Sequence, residues 1–196
     1  MVTFGEREVE VKFRIDNPSS IRTLLSGMMV ENSGMKKEKN FYMTNRVLGI
    51  GEAGGTIVRV RTYEDIKGVL VTYKGRPDQK EKMFKSRPEI EFKADDAKKV
   101  LNFLKAIGFT VGWIQEKERE TWAMGNADVS IDLLPVIGYY LEIEGEKEAI
   151  FKTAEVLGLD MKKSTNKSYR ELYIEECRKK KIPVANMVFS SDGGEK

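Results

Sequence analysis

Residues Glu6–Ile15 read Glu-Arg-Glu-Val-Glu-Val-Lys-Phe-Arg-Ile, and no other segment of the chain indicates the architecture so clearly. Every even-numbered position is charged, whereas the odd-numbered positions from Val9 onward are apolar. An alternation of period two over ten residues predicts a β-strand with one charged face and one apolar face. The charged face of this strand carries Glu8, Glu10 and Lys12.

Charges at the same two-residue spacing recur on later segments of the chain. Side chains two positions apart leave the same side of a strand, so each segment is predicted to have one charged face. Acidic pairs and basic pairs lie on different segments, which favours counter-charges from neighbouring strands. The charged positions are Glu8, Glu10, Lys12, Arg59, Arg61, Lys74, Glu89, Glu91, Lys117, Arg119, Asp132, Glu142 and Glu144.

Helix signals separate the predicted strands. The predicted helices begin at Asn17-Pro18 and cover 95–107, 146–157 and 168–179. A polar segment at 31–40 is expected to lead into a short aromatic strand at 41–44. The chain has about eight predicted strands and four helices, and the two do not alternate strictly. This order indicates an α+β fold.

The length and composition predict one domain and a tail. The chain has 196 residues, of which 40% are hydrophobic and 33% are charged. This is enough apolar material for one core, which we expect within residues 1–180. Residues 181–196 show no periodicity and finish with Ser-Ser-Asp-Gly-Gly-Glu-Lys, which is typical of a C-terminal tail.

The missing residue types exclude several classes of site. The chain has no histidine, which excludes Ser-His-Asp and Cys-His catalysis and any His-ligated zinc. Cys177 is the only cysteine, which excludes an internal disulfide and a multi-cysteine metal site. We expect a cytoplasmic protein, because the N-terminus resembles no signal peptide and no apolar run reaches the ~20 residues of a membrane span. The high charge content is typical of thermophilic proteins.

The charged strand faces allow two interpretations. An ordinary one-sided sheet would expose them to water. A sheet closed into a barrel would turn them into its lumen, where the opposite charges neutralise each other, since an unpaired buried ion costs several kcal/mol. Such a lumen fits a polyanion with a divalent metal. Arginine and lysine bind phosphate oxygens, and carboxylates without histidine or cysteine select hard ions such as Mg²⁺ or Mn²⁺.

The ordered set of charged motifs resembles the CYTH superfamily. This is the class IV adenylyl cyclase and thiamine triphosphatase group, also called triphosphate tunnel metalloenzymes. The Glu-x-Glu-x-Lys signature at residues 8–12 is weak alone, whereas the ordered set over residues 6–177 is specific. The matching motifs are Glu8-x-Glu10-x-Lys12, Arg59-Val-Arg61, Tyr73-Lys74-Gly75, Arg87-Pro-Glu89-Ile-Glu91, Lys117-x-Arg119, Asp132, Glu142-Ile-Glu144 and Lys167-Ser-Tyr169.

The resemblance implies a closed antiparallel eight-stranded β-barrel, a triphosphate tunnel, with helices packed outside. It also implies Mg²⁺- or Mn²⁺-dependent chemistry on a triphosphate. The implied metal ligands are Glu8, Glu10, Asp132, Glu142 and Glu144. The implied phosphate-binding residues are Lys12, Arg59, Arg61, Lys74, Lys117, Arg119 and Lys167, of which Lys12, Lys74 and Arg119 are the predicted catalytic residues.

Two departures from the family pattern bear on the reaction. The short strand near residue 41 usually opens with an aspartate before its aromatic pair, but this chain has Asn40 there. The His-Phe pair with which bacterial cyclases recognise adenine requires a histidine, and this chain has none. We therefore expect hydrolysis of tripolyphosphate, thiamine triphosphate or a nucleoside triphosphate. The alternatives are a class IV adenylyl cyclase and a non-catalytic polyphosphate- or nucleotide-binding module.

The expected partner is the small-molecule triphosphate alone. A net charge of +3 and the acidic doublets disfavour nucleic acid, and we expect no membrane contact and a monomer or homodimer. Because carboxylates crowd the predicted site, removing Glu10 or Glu142 is expected to relieve repulsion and to leave the fold intact.

Overall fold

The computed structural model describes residues 7–52 and 55–189. Its eight strands form one closed antiparallel barrel in the order β1-β5-β4-β3-β2-β6-β7-β8. The strands are β1 (Arg7–Arg14), β2 (Glu31–Thr44), β3 (Ile57–Tyr63), β4 (Val69–Lys74), β5 (Lys85–Ala94), β6 (Thr110–Met124), β7 (Ala127–Leu134) and β8 (Gly138–Gly145). The helices are α1 (Pro18–Gly27), α2 (Ala97–Ala106), α3 (Lys147–Val156) and α4 (Tyr169–Lys180), with a short 3₁₀ turn at Met161–Lys163. The predicted α+β barrel is confirmed.

Side-chain caps fix where the helices begin. The Asn17 side chain accepts a hydrogen bond from the Ser19 backbone N–H at 3.1 Å, as the sequence predicts for an N-cap. A reciprocal capping box between Ser168 and Glu171 starts α4. This box places Tyr169, the first residue of α4, against the interior of the barrel.

Apolar residues on the outward strand faces form the core. Val11, Val129 and Ile143 are fully buried in a cluster with Ile150 of α3. A second cluster packs α2 against the outer faces of β3 and β4. Because the apolar faces point outward to the helices, the charged faces necessarily point into the lumen. None of the described helices is long and apolar enough to cross a membrane.

The prediction that residues 31–40 precede the strand is wrong. These residues belong to β2, which runs from 31 to 44 and pairs with both β3 and β6. The segment shows no apolar alternation because both of its faces are polar. Its outward lysines pair with carboxylates, as Lys37 does with Glu64 at 3.0 Å and Lys39 with Glu116 at 2.9 Å. β6 likewise begins at Thr110, five residues before the predicted start.

The segment predicted as a tail lies against the barrel as far as the structure describes it. β7 pairs with β6 only from Glu118 onward, which leaves the preceding backbone of β6 without a strand on that side. The Met187 backbone fills this edge, bonding to Ile114 (2.9 Å) and Glu116 (2.8 Å). Its side chain is fully buried beside Cys177 of α4. Residues 190–196 lie outside the described residues.

Candidate active site

The lumen contains a cavity of about 770 Å³ into which the charged strand faces project. Eleven of the twelve predicted site residues line it, which rules out the interpretation of a solvated, one-sided sheet. They are Glu8, Glu10, Lys12, Arg59, Arg61, Lys74, Lys117, Arg119, Glu142, Glu144 and Lys167. The exception is Asp132, which lies behind the cavity wall.

Strand order divides the lumen into two walls. β8, β1 and β5 are neighbours, and together they present the acidic wall, which we define as Glu8, Glu10, Glu89, Glu91, Glu142 and Glu144. β3 and β6 lie on either side of β2 and present the cationic wall, which we define as Arg59, Arg61, Lys117 and Arg119. The barrel therefore places a cluster of carboxylates opposite a cluster of guanidinium and ammonium groups.

Lysines separate the carboxylates of the acidic wall. The Lys12 ammonium contacts Glu10 at 2.6 Å and Glu142 at 3.1 Å. Burial disfavours its charge, yet both carboxylates hold its pKa above the ordinary value. Lys74 makes the same kind of bridge, with Glu8 at 2.6 Å and Glu89 at 3.0 Å. These lysines stabilise the wall while it holds no other cation.

The acidic wall still holds more carboxylate than its lysines neutralise. Burial and the nearby Glu8 and Glu142 raise the pKa of Glu144 to about 8. Burial, opposed by Lys74 and reinforced by Glu8, raises the pKa of Glu89 to about 7. For Glu8 the outcome is reversed, because Lys74 outweighs burial and lowers its pKa to about 2. Part of this wall therefore attracts additional positive charge.

The donor set of the acidic wall fits a hard divalent cation. β1 and β8 bring Glu10 opposite Glu144 and Lys12 opposite Glu142. Among the described residues no three acidic side chains are gathered around one point. Most carboxylates of the wall pair with a lysine or arginine instead, as Glu10 does with Lys12. A metal would therefore compete with those side chains for oxygen ligands, which are the ligands that Mg²⁺ and Mn²⁺ prefer.

Two buried guanidinium nitrogens lack a hydrogen-bond partner within the residues that the structure describes, one on the cationic wall and one on β5. Arg59 donates from Nη2 to Thr72 at 3.1 Å and to Glu91 at 3.3 Å. Its buried Nε has no hydrogen-bond partner in the described part of the chain, and neither has the buried Nε of Arg87. A buried donor without an acceptor costs about 1–3 kcal/mol, so these atoms are prepared for a ligand that brings acceptor oxygens.

Asp132 holds the cationic wall from behind. It is fully buried and accepts from Arg119 Nε and Nη2, both at 2.6 Å. It also accepts from Lys117 Nζ at 3.3 Å and from the Tyr169 hydroxyl at 2.6 Å. With both oxygens engaged by cations, Asp132 orients Lys117 and Arg119 in this structure, and its implied metal role stays a prediction.

Lys167 lies apart from the other predicted phosphate ligands. Its ammonium pairs with Glu175 at 2.6 Å, and its side chain is 46% exposed. It lines the rim of the cavity rather than the charged centre. A role for Lys167 at the entrance is compatible with this position, whereas contact with the central phosphates would require its side chain to move.

Several groups in or behind the lumen wall were missing from the predicted site, including Glu89 and Glu91 of the acidic wall. Lys85 and Arg87 face the cavity from β5, and burial lowers the pKa of Lys85 to about 8. Glu38 lies behind the wall between Arg61 and Lys117. The Tyr169 ring has the ammonium of Lys12 5.1 Å and that of Lys117 5.6 Å from its centre. Arg87 already shares a face with Glu89 and Glu91 in the predicted strand, and extending the predicted strands by a few residues would have added Lys85 of β5 and Glu38 of β2.

Apolar and aromatic side chains also line the cavity. Tyr42, Ile57 and Trp113 line it, and the rings of Tyr42 and Trp113 lie 5.1 Å apart. The Tyr42 hydroxyl donates to Gln115 Oε1 at 2.7 Å.

Comparison with known proteins follows this geometry. The profile of the CYTH domain family matches residues 6–176. The chain belongs to the CYTH family. A Methanocaldococcus jannaschii protein, named as a candidate adenylate cyclase, is 27% identical over 175 residues, covering 84% of this chain and 97% of that protein.

Solved structures of CYTH-like proteins share the barrel. A Pyrococcus horikoshii protein superposes with a TM-score of 0.72 at 25% identity, covering 84% of this chain and 98% of the other. A Hippeastrum protein, described as a candidate adenylyl cyclase with a dominant triphosphatase activity, has a TM-score of 0.61 at 14% identity, covering 86% and 95%. The latter similarity concerns the fold alone.

Proposed function

We propose that this protein is a divalent-metal-dependent enzyme that binds a triphosphate in the barrel lumen and hydrolyses it to release phosphate. The observation that carries the proposal is the pair of partnerless donors, Arg59 Nε and Arg87 Nε, buried beside a cavity of about 770 Å³. Phosphate oxygens are strong acceptors for such guanidinium donors. A triphosphate supplies enough of them to engage both sides of the lumen.

The chain's own cations carry most of the proposed chemistry. Arg59, Arg61, Lys117 and Arg119 bind the phosphate chain from the cationic wall. Charge that builds on the phosphoryl oxygens during water attack is stabilised by donors already aimed into the lumen, with little reorganisation. Asp132 keeps Lys117 and Arg119 in place. Lys12 and Lys74 contribute from the acidic wall.

The proposed metal is Mg²⁺ or Mn²⁺, held by Glu8, Glu10, Glu142 and Glu144. When bound, it would neutralise phosphate charge and favour attack by water. The side chains of Lys12 and Lys74 now occupy these carboxylates. Lys12 and Lys74 line the same cavity and would donate to phosphate oxygens when these carboxylates hold a metal.

Hydrolysis is favoured over cyclisation by what the lumen provides. Cyclic AMP formation needs the ribose 3′-hydroxyl in line with the α-phosphorus, which requires specific contacts to base and sugar. The aromatic side chains of Tyr42 and Trp113, which line the cavity, could receive a base. Hydrolysis needs only the phosphate cradle and water.

Adenylyl cyclase activity is the second candidate, supported by the name of the Methanocaldococcus jannaschii relative. The triphosphatase activity described for the Hippeastrum protein shows that a barrel of this fold can also carry hydrolysis. A binding module without turnover would present the same walls.

A product assay separates the three candidates. The protein is incubated with tripolyphosphate, thiamine triphosphate or ATP, with Mg²⁺, Mn²⁺ or EDTA, and phosphate, pyrophosphate and cyclic AMP are resolved by chromatography. We expect metal-dependent phosphate release to exceed cyclic AMP formation. Cyclic AMP as the dominant product from ATP would establish the cyclase instead. Metal-dependent binding of a triphosphate without any product would establish the binding module.

A further inference from the structure

Glu38 is a buried carboxylate among the cations of the lumen. Its side chain is 2% exposed, and Oε2 lies 3.2 Å from Arg61 Nε and 3.6 Å from Lys117 Nζ. It does not line the cavity, although both of its cationic neighbours do. Glu38 therefore lies behind the phosphate-binding surface, where a substrate does not reach it.

Charge rather than directed hydrogen bonding holds Glu38. Oε2 has no hydrogen bond of good geometry with any described residue. Burial favours protonation, but Lys117 and Arg61 outweigh it and lower the pKa of Glu38 to about 2. An anion kept in the interior in this way attracts its neighbours strongly, because the interior screens charge less than water does.

Asn40 completes the arrangement around Arg61. It is the next lumen-facing residue of β2, and its Oδ1 accepts from Arg61 Nε at 2.8 Å. The Nε atom of Arg61 thus has the amide on one side and the Glu38 carboxylate close by. This leaves the far end of the guanidinium for the cavity that Arg61 lines.

We propose that Glu38 is a positioning residue that holds Arg61 and Lys117 from behind, so that their donors face the triphosphate. This inference rests on the proposed function of the lumen. In this chain the carboxylate near the start of the aromatic segment lies at 38, behind the wall, while the neutral Asn40 faces the cavity. The substrate therefore meets the amide of Asn40 rather than a carboxylate that would repel it.

The substitution Glu38→Gln separates positioning from simple charge. Removing a negative charge raises the positive potential of the wall, so charge alone predicts tighter binding of a polyanion. Loss of positioning predicts weaker binding. We expect the dissociation constant for tripolyphosphate to rise about tenfold. Glu118→Gln, the same change on the outer face of β6, is the matched control and should leave binding unchanged.

A second variant tests the geometry. Glu38→Asp moves the carboxylate away from Arg61 Nε without removing its charge. Isothermal titration calorimetry measures the dissociation constant for tripolyphosphate, first for the wild type in EDTA and in Mg²⁺. The variants are then measured in the condition in which the wild type binds. If Glu38→Gln does not fold, Glu38→Asp replaces it. This variant keeps the charge but withdraws it by one methylene, and the same weakening is expected.

The outcomes distinguish the two proposals. A folded Glu38→Gln that binds tripolyphosphate as tightly as the wild type, or more tightly, overturns the positioning role alone. A folded Glu38→Asp that binds tripolyphosphate as tightly as the wild type overturns it as well. A wild type that binds no tripolyphosphate in either condition overturns the proposed function, and the positioning role with it.

Discussion

Glu142 and Glu144 lie two residues apart on β8 and face the same lumen, yet their surroundings are opposite. Glu142 contacts Lys12 at 3.1 Å and Arg119 at 2.8 Å, and these cations outweigh burial and hold its pKa well below the usual range. Glu144 has burial and neighbouring carboxylates around it, which raise its pKa to about 8. Identity and spacing alone do not distinguish the two residues.

Glu144→Gln should stabilise the metal-free protein, increasingly so as the pH rises. Glu144 binds a proton more tightly in the folded chain than in the unfolded chain, where its pKa is near 4.5. Its ionisation therefore costs stability as the pH rises from 4.5 toward 8. We expect the variant to gain about 2 kcal/mol in free energy of unfolding at pH 8 and little at pH 5, measured by urea denaturation in EDTA. An equal gain at both pH values would refute this assignment.

Glu142→Gln should have the opposite effect. Its depressed pKa contributes stability above the unfolded value near 4.5, and this contribution is lost as the pH falls through the folded value. We expect a loss of about 3 kcal/mol at pH 7, because Lys12 and Arg119 lose a buried partner. The loss should shrink in acid. The sequence led us to expect that removing Glu142 would relieve repulsion, whereas its contacts with Lys12 and Arg119 predict a loss of stability. A Glu142→Gln variant more stable than the wild type would support the repulsion instead.

At the scale of elements, the segment after α4 packs along the edge of β6 rather than extending away from the barrel. Met187 is fully buried against Cys177 and Tyr173 of α4, and its backbone covers the edge of β6 near Gln115. A sequence without periodicity can still fill an edge, because backbone pairing requires no particular side-chain pattern.

Met187→Ala tests the packing of this segment. Truncating a fully buried methionine costs about 2–5 kcal/mol, so a marked fall in melting temperature is expected by differential scanning calorimetry. Val188→Ala is the control, since the adjacent Val188 is 39% exposed. Equal, small effects of the two variants would show that the segment does not pack on the barrel in solution.

The sequence predicted elements well where one strand face is apolar. β1, β3, β4 and β8 follow the alternation to within a few residues, because burial on one face imposes period two. The predicted strand covered only the end of β2, because β2 has lumen charges on one face and paired lysines on the other and therefore lacks the apolar alternation. Glu38 and Asn40 lie on the part of β2 that precedes the predicted strand at 41–44.

The partners of each charged residue depend on strand order, which no local pattern records. The sequence predicted that acidic and basic doublets share a lumen, and the structure brings eleven of the twelve predicted side chains to one cavity. It does not bring Asp132 to the cavity surface, because the donors Lys117, Arg119 and Tyr169 surround it. These three donors lie 15, 13 and 37 positions from Asp132 in the sequence.

At the scale of the whole molecule, barrel closure makes the two charged walls possible. Neither wall could be buried alone, since each unpaired ion would cost several kcal/mol. Neighbouring β8, β1 and β5 gather the carboxylates, while β3 and β6 gather arginines and Lys117 on the other side. We propose that a triphosphate is turned over on this enclosed surface and on no outer face of the barrel.

Arg59→Gln tests that claim most directly, with Arg22→Gln as the matched control. Arg59 lines the cavity with a partnerless Nε, whereas Arg22 pairs with Glu120 on the outside of the barrel at 2.7 Å. The measurement is kcat/KM for metal-dependent phosphate release from tripolyphosphate, with thermal unfolding as the check on folding. We predict a loss of about 100-fold for Arg59→Gln and no change for Arg22→Gln. A folded Arg59→Gln with wild-type kcat/KM would contradict the claim.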